Sequence, residues 1–194
     1  MVIIVISGTG GTGKTAAAKA LVKFLDDYKL VELNKLAKRT KAYKAYDATR
    51  KTNIVDIRKL KAEVKKLTKK HKNLILEGLF AHEFDADIVI ILRCRPDVLR
   101  KRLKKKYSWY TKIDENVEAE MLGVITEEAV AKHGWRKVFE IDTSKKTAKK
   151  TAKAIKGMIG KKQGKKQNRY KNQHKVGKIN WLSAKLVKTV SRKR

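Results

Sequence analysis

The chain predicts an α/β protein: a three-layer fold around a five-stranded parallel sheet, followed by a basic, flexible C-terminal tail. Three observations carry this expectation. Five short apolar runs recur along the sequence, stretches of helical apolar period alternate with them, and acidic residues stop altogether at Asp142. Alternating β and α segments select a parallel sheet with helices on both faces.

Val2 to Ser7, VIIVIS, is apolar without alternation up to its last residue, as a strand buried on both faces requires. GTGGTGKT follows at residues 8–15, and residues 14–26 then place Ala17, Ala18, Leu21, Val22, Phe24 and Leu25 at helical spacing. The other apolar runs are Leu30 to Leu33, Leu74 to Leu76, Ile88 to Leu92 and Val138 to Ile141. Asp56 is placed to cap a helix to about Lys70, with Ile57, Leu60, Val64 and Leu67 on one face. The only proline, Pro96, suits the first turn of a helix reaching about Lys105. Asp114 is placed to cap another helix, from Glu115 to about Lys132. Ala148, Ala152, Ile155 and Ile159 repeat at helical spacing within residues 145–160. Residues 161–178 have no apolar period and are expected to stay disordered until an anion orders them. INWLSAKLV, residues 179–187, adds a small apolar handle around Trp181. The expected division is a domain over 1–160 and a basic tail over 161–194.

The chain carries 50 Lys and Arg against 19 Asp and Glu, a formal charge of +31. From residue 145 onward, 19 Lys and Arg stand with no acidic residue among them. Such a charge favours polyanions, nucleic acid ahead of anionic membrane. Adaptation to high temperature would have raised acidic residues in step. One cysteine, Cys94, excludes an internal disulfide and a cysteine-built metal cluster, and fits a reducing compartment. No apolar run approaches membrane-spanning length, so a cytoplasmic protein without a membrane partner is expected.

Gly8, Gly13, Lys14 and Thr15 satisfy G-x-x-x-x-G-K-[ST] between a strand and a helix, where the motif holds nucleotide phosphates. Backbone N–H groups of Gly8, Gly10, Gly11, Thr12, Gly13, Lys14, Thr15 and Ala16 are expected to wrap the phosphates of ATP, aided by the positive end of the helix. Lys14 is expected at the β- and γ-phosphates, and the Thr15 hydroxyl on Mg²⁺. Glu77, ending the run LILE, is the expected second holder of the metal and its water shell. Arg93, Arg95, Arg100, Arg102 and the run Lys104 to Lys106 follow the fourth strand, where a small lid would bring cations over the transferred phosphoryl group. His82, in the loop AHEFDAD, is a further candidate for the phosphate or an attacking water. No N-K-x-D segment is present, which argues against a GTPase, and the short core argues against AAA-type and recombinase-type ATPases.

Beyond the loop itself, LAKRTKAYKAYD (36–47), NIVDIRKL (53–60), EGLFAH (77–82), ILRCRP (91–96) and KIDENVEAE (112–120) stand in an order that resembles isoenzyme-6-type adenylate kinases. These are small archaeal and eukaryotic kinase-like ATPases of small-ribosomal-subunit maturation. The resemblance covers about residues 1–160. It implies a short nucleoside-monophosphate-kinase fold with an AMP-side region near 35–53 and an abbreviated lid near 105–115. It also implies phosphoryl transfer from ATP to AMP, ATP hydrolysis, and partnership with rRNA and a small-subunit platform ribosomal protein. On this resemblance Lys14, Glu77, His82 and Lys106 are the catalytic candidates, Lys106 standing where the family has a lid arginine. Glu77-Gly78-Leu79 replaces the family's Asp-x-His, Ala16 replaces a hydroxyl residue, Gly10 replaces a proline, and Asn180 in GKINW replaces an aspartate. Leu79 and Lys106 imply weak turnover with nucleotide binding retained. The alternative is an rRNA-binding assembly factor that uses ATP only as a conformational ligand.

Overall fold

In the computed structural model, which describes residues 1–50, 52–108, 110–159 and 164–182, the chain opens on alternating strands and helices. The order is β1 (Val2–Ser7), α1 (Lys14–Val22), β2 (Tyr28–Glu32), α2 (Leu33–Thr40), β3 (Tyr43–Asp47), β4 (Thr52–Val55), α3 (Ile57–Lys70) and β5 (Asn73–Glu77). After a 3-10 turn at Ala81–Glu83 come β6 (Ile88–Arg93), α4 (Pro96–Lys104), α5 (Tyr110–Leu122), α6 (Val124–His133), β7 (Val138–Asp142), α7 (Ala148–Met158) and α8 (Lys165–Gln173).

The five apolar runs become five parallel strands in the order β2-β5-β1-β6-β7. The central β1 pairs with β5 on one side and β6 on the other, so Ile4 lies between Ile75 and Ile88. Side chains of a strand alternate between faces. Ile4 and Ile6 accordingly pack with Ala17 and Leu21 of α1 and Ala152 and Ile155 of α7. Val5 packs in the opposite layer with Leu36, Leu60, Val64 and Ala129. Asp56 caps α3 by accepting the Lys59 N–H at 3.0 Å, and Pro96 opens α4, both as the sequence implies.

Three expectations are corrected. The predicted helix from Glu115 to Lys132 is two helices, because Gly123 takes φ 71° between α5 and α6. Asp114 caps neither; it lies within α5 and pairs with Arg100. Leu33 begins α2 rather than ending a strand, and Tyr43–Asp47 and Thr52–Val55 pair antiparallel as β3-β4.

The expected disorder of the tail does not hold over residues 164–178. Tyr170 of α8 packs against Gly157 of α7, where a Cβ would meet the ring at 2.7 Å. Beyond α8 the backbone returns to the sheet: the Glu140 N–H donates to the His174 carbonyl at 2.8 Å, and Lys175 bridges antiparallel to Phe139. β7 is the last strand in the sheet order, and its outer edge supplies the partners. The remaining tail residues, 161–163 and 183–194, lie outside the described residues. Among the described residues no helix is long and apolar enough to cross a membrane.

Candidate functional site

The glycine loop leaves the end of β1 at the carboxyl edge of the sheet, where open parallel sheets receive ligands. Gly8, at φ 135°, presses on β6; a Cβ there would stand 2.3 Å from the Leu92 carbonyl oxygen. Gly13, at φ 93°, is the N-cap of α1 and brings no side-chain cap, which leaves the first-turn amides for an anion.

Side chains beneath the loop fix its course. The Thr9 carbonyl accepts from the Thr12 hydroxyl at 2.8 Å and from Lys14 Nζ at 2.9 Å. Thr143 donates to the Thr12 carbonyl at 2.9 Å. The Thr9 hydroxyl donates to Glu120 Oε2 at 2.7 Å. Lys14 is buried, and burial pushes its ammonium down to about 8, with Glu77 opposing the shift. It therefore remains largely charged at neutral pH. The Thr15 hydroxyl donates to Glu77 Oε1 at 3.1 Å. Burial raises the Glu77 carboxyl above its ordinary range, with Lys14 and the Thr15 bond opposing.

Lys14, Thr15 and Glu77 line a cavity of about 1080 Å³, together with Gly10, Gly11, Gly13 and Ala16 of the loop. Gly8 and Thr12 do not line it; Thr12 is fully buried behind the loop. Asn34, Arg50 and Asn53 also line it, as do Lys106, Lys112 and Asn116. Leu79, 46% exposed, completes the wall beside Glu77.

His82 is placed apart from this cavity. It is buried, with Nδ1 3.0 Å from the Ser7 hydroxyl and Nε2 3.1 Å from Glu128 of α6. Burial lowers its pKa, while Glu128 opposes. Of the cations expected at a lid, Lys106 lines the cavity and the arginines do not, although Arg102 reaches the Gly11 carbonyl of the loop at 3.5 Å. Arg93 is buried against Glu120 and Glu140, Arg95 pairs with Asp97 at 2.6 Å, Arg100 pairs with Asp114, and Arg102 donates to the Thr143 carbonyl at 2.8 Å.

Sequence reasoning missed Thr9 and Glu120. The available signal was a carboxylate on the buried face of α5, in step with Ile113 and Val117. A buried acid at an apolar helical position requires partners. Among the described residues no group of three or more His, Cys, Asp or Glu is arranged to hold a metal ion.

A phosphate loop between the central strand and first helix of a five-stranded parallel sheet is the architecture of P-loop kinases. The family described as AAA domain matches residues 4–123. That description corrects the exclusion of AAA-type proteins on length: the match covers the phosphate-binding core, on which chain length does not bear. Relatives named "Putative adenylate kinase" include one from Natronomonas pharaonis, 36% identical over 142 residues, covering 73% of this chain and 80% of the relative. One from Pyrococcus furiosus is 37% identical over 145 residues, covering 75% of this chain and 77% of its own length. Solved structures with the same fold include shikimate kinase from Acinetobacter baumannii in complex with shikimate, with a TM-score of 0.56 at 18% identity over 82% of this chain and 93% of that one. Thymidylate kinase from Candida albicans gives 0.51 at 14% identity over 87% of this chain and 92% of that one. The chain belongs to the AAA domain family and to the family of these relatives named putative adenylate kinase.

Proposed function

We propose that this chain is an ATP-binding phosphotransferase that passes the γ-phosphoryl group of ATP to AMP, hydrolyses ATP as a second outcome, and acts in maturation of the small ribosomal subunit. The carrying observation is the convergence of Lys14, Thr15 and Glu77 on one cavity behind a glycine loop. At about 1080 Å³ the cavity stands at the upper end of the roughly 300–1,000 Å³ usual for ligand sites.

Backbone amides of Gly11 and Gly13 and the N-terminus of α1 hold phosphate oxygens. Lys14 turns from the Thr9 carbonyl to the β- and γ-phosphates. The Thr15 hydroxyl and the Glu77 carboxylate are hard oxygen donors 3.1 Å apart, a set that suits Mg²⁺ with its remaining positions left to water and phosphate. When bound, the ion neutralises charge on the β- and γ-oxygens. Lys106, also lining the cavity, adds positive charge as a point charge without a guanidinium's fork. Asn34, Arg50 and Asn53 offer polar groups to an acceptor monophosphate. His82, held by Ser7 and Glu128, supports the loop from behind β1 rather than meeting the phosphates.

The ribosomal role follows the resemblance and the charge. Exposed Lys149, Lys153 and Lys156 of α7 and Lys165 and Arg169 of α8 offer a face to rRNA beside a platform ribosomal protein. A cytoplasmic location goes with that role.

ADP formation from ATP is the test, measured with and without AMP and with and without small-subunit rRNA. AMP is expected to raise the rate and rRNA to change it. ADP formation indifferent to AMP would overturn the transferase reading. Nucleotide binding with no turnover at all would favour the assembly factor that uses ATP as a conformational ligand, for which Leu79 on the cavity wall is the supporting observation.

A further inference from the structure

Trp181 lies near the end of the described chain, yet its indole reaches the buried polar cluster beneath the phosphate loop. Its Nε1–H donates to Glu120 Oε1 at 3.1 Å. The same oxygen accepts from Arg93 Nε at 2.7 Å and from the Cys94 N–H at 3.0 Å. The other oxygen, Oε2, accepts from the Thr9 hydroxyl at 2.7 Å. Glu120 is 1% exposed. The tail also enters the cluster a second time, where the Gly177 N–H donates to Glu140 Oε2 at 3.2 Å.

Two carboxylates, Glu120 and Glu140, share a single guanidinium, that of Arg93. Neutral N–H and O–H donors must therefore satisfy the remaining lone pairs, because a buried carboxylate left short of donors is costly. Trp181 is one of those donors, and its removal leaves Glu120 Oε1 to Arg93 and the Cys94 N–H alone, which loosens the hold on the carboxylate that Thr9 binds. Thr9 then loses a fixed partner, and the Thr9 carbonyl is what orients both Thr12 and Lys14.

We propose that Trp181 is a positioning residue of the phosphate loop, acting through Glu120 on Thr9 to hold the loop in its nucleotide-ready shape. This rests on the nucleotide-binding reading above. The C-terminal extension is then part of the nucleotide site's support, and binding at one end is coupled to docking at the other. Reciprocity requires nucleotide to tighten the Trp181 bond as much as that bond tightens nucleotide.

The experiment uses the full chain and a fluorescent methylanthraniloyl-ADP probe, with W181F removing the donor while keeping an aromatic ring. A hydrogen bond to a buried charge is worth enough for W181F to weaken probe binding about tenfold. T9V cuts the same link from the loop end and leaves the tail docked. The double variant is expected to be scarcely weaker than either single one, since both interrupt one chain of hydrogen bonds. In the wild type, saturating ADP is expected to slow exchange of the Trp181 indole proton, followed by nitrogen-15 NMR; a purely structural tryptophan would not respond. Should W181F fail to fold, T9V and the indole exchange decide the matter. Probe binding unchanged in W181F or T9V, or indole exchange indifferent to ADP, overturns the proposal while the nucleotide site stands. Absence of probe binding in the wild type overturns both.

Discussion

At the scale of single residues, Lys14 and Cys94 show burial acting on two groups with opposite consequences. Lys14 keeps its charge at neutral pH despite a pKa pushed down to about 8, because that value still lies above neutrality. Replacing it with alanine removes the cation from the phosphates and one bond to the Thr9 carbonyl but leaves the fold, since the Thr9–Glu120, Thr12–Thr9 and Thr143–Thr12 bonds do not use it. K14A is expected to lower ADP formation at least ~100-fold with an unchanged circular dichroism spectrum. Cys94, fully buried, has its thiol pushed up to about 11 by that burial. A thiol whose folded pKa is raised favours the folded state below its ordinary value of 9.0, and that contribution is lost as pH climbs from there toward 11. The same shift leaves roughly one hundredth as much thiolate at pH 8 in the folded chain as in the unfolded one. A thiol reagent such as dithionitrobenzoate should therefore label Cys94 only after denaturant is added; rapid labelling of native protein would contradict its burial.

At the scale of elements, the phosphate loop, the five strands and most of the helices could be read in advance, since each rests on a local pattern: a buried β-branched run, a glycine motif, a capping aspartate or an N-terminal proline. The β3-β4 pair could not, because Tyr43 to Asp47 and Thr52 to Val55 stay largely exposed and need no apolar alternation. α8 escaped for a related reason. Lys165 to Gln173 offers one substantial apolar side chain, Tyr170, and its docking depends on a glycine one helix away. Glu120 was hidden too, since its partners Thr9, Arg93 and Trp181 are distant in sequence and only the fold assembles them. Tyr170 gives this scale its prediction. Removing a half-buried ring should cost about 1–2 kcal/mol. Y170A is expected to lower the denaturant midpoint and to raise amide exchange at Glu140, whose N–H depends on the returning tail. A midpoint and exchange equal to wild type would mean that α8 is not docked on α7 in solution.

At the scale of the whole molecule, the proposed function calls for two kinds of anion, a nucleotide in the cavity and rRNA along the basic C-terminal region. Residues 161–194 carry 13 Lys and Arg and include Trp181. Their deletion is expected to weaken rRNA binding strongly and to flatten its dependence on salt, because a chain that neutralises fewer phosphates releases fewer counterions. Nucleotide affinity should fall in the same variant, which also lacks the Trp181 bond to Glu120. Binding of rRNA unchanged at two salt concentrations would remove the tail from the interface.

The most direct measurement is the rate of ADP formation from ATP and Mg²⁺, with AMP present and absent, in wild-type chain and K14A side by side. Wild type is expected to form ADP faster when AMP is present, and K14A to form almost none in either case. Equal rates in the two proteins, or a wild-type rate that ignores AMP, would contradict a phosphotransferase built on Lys14, Thr15 and Glu77.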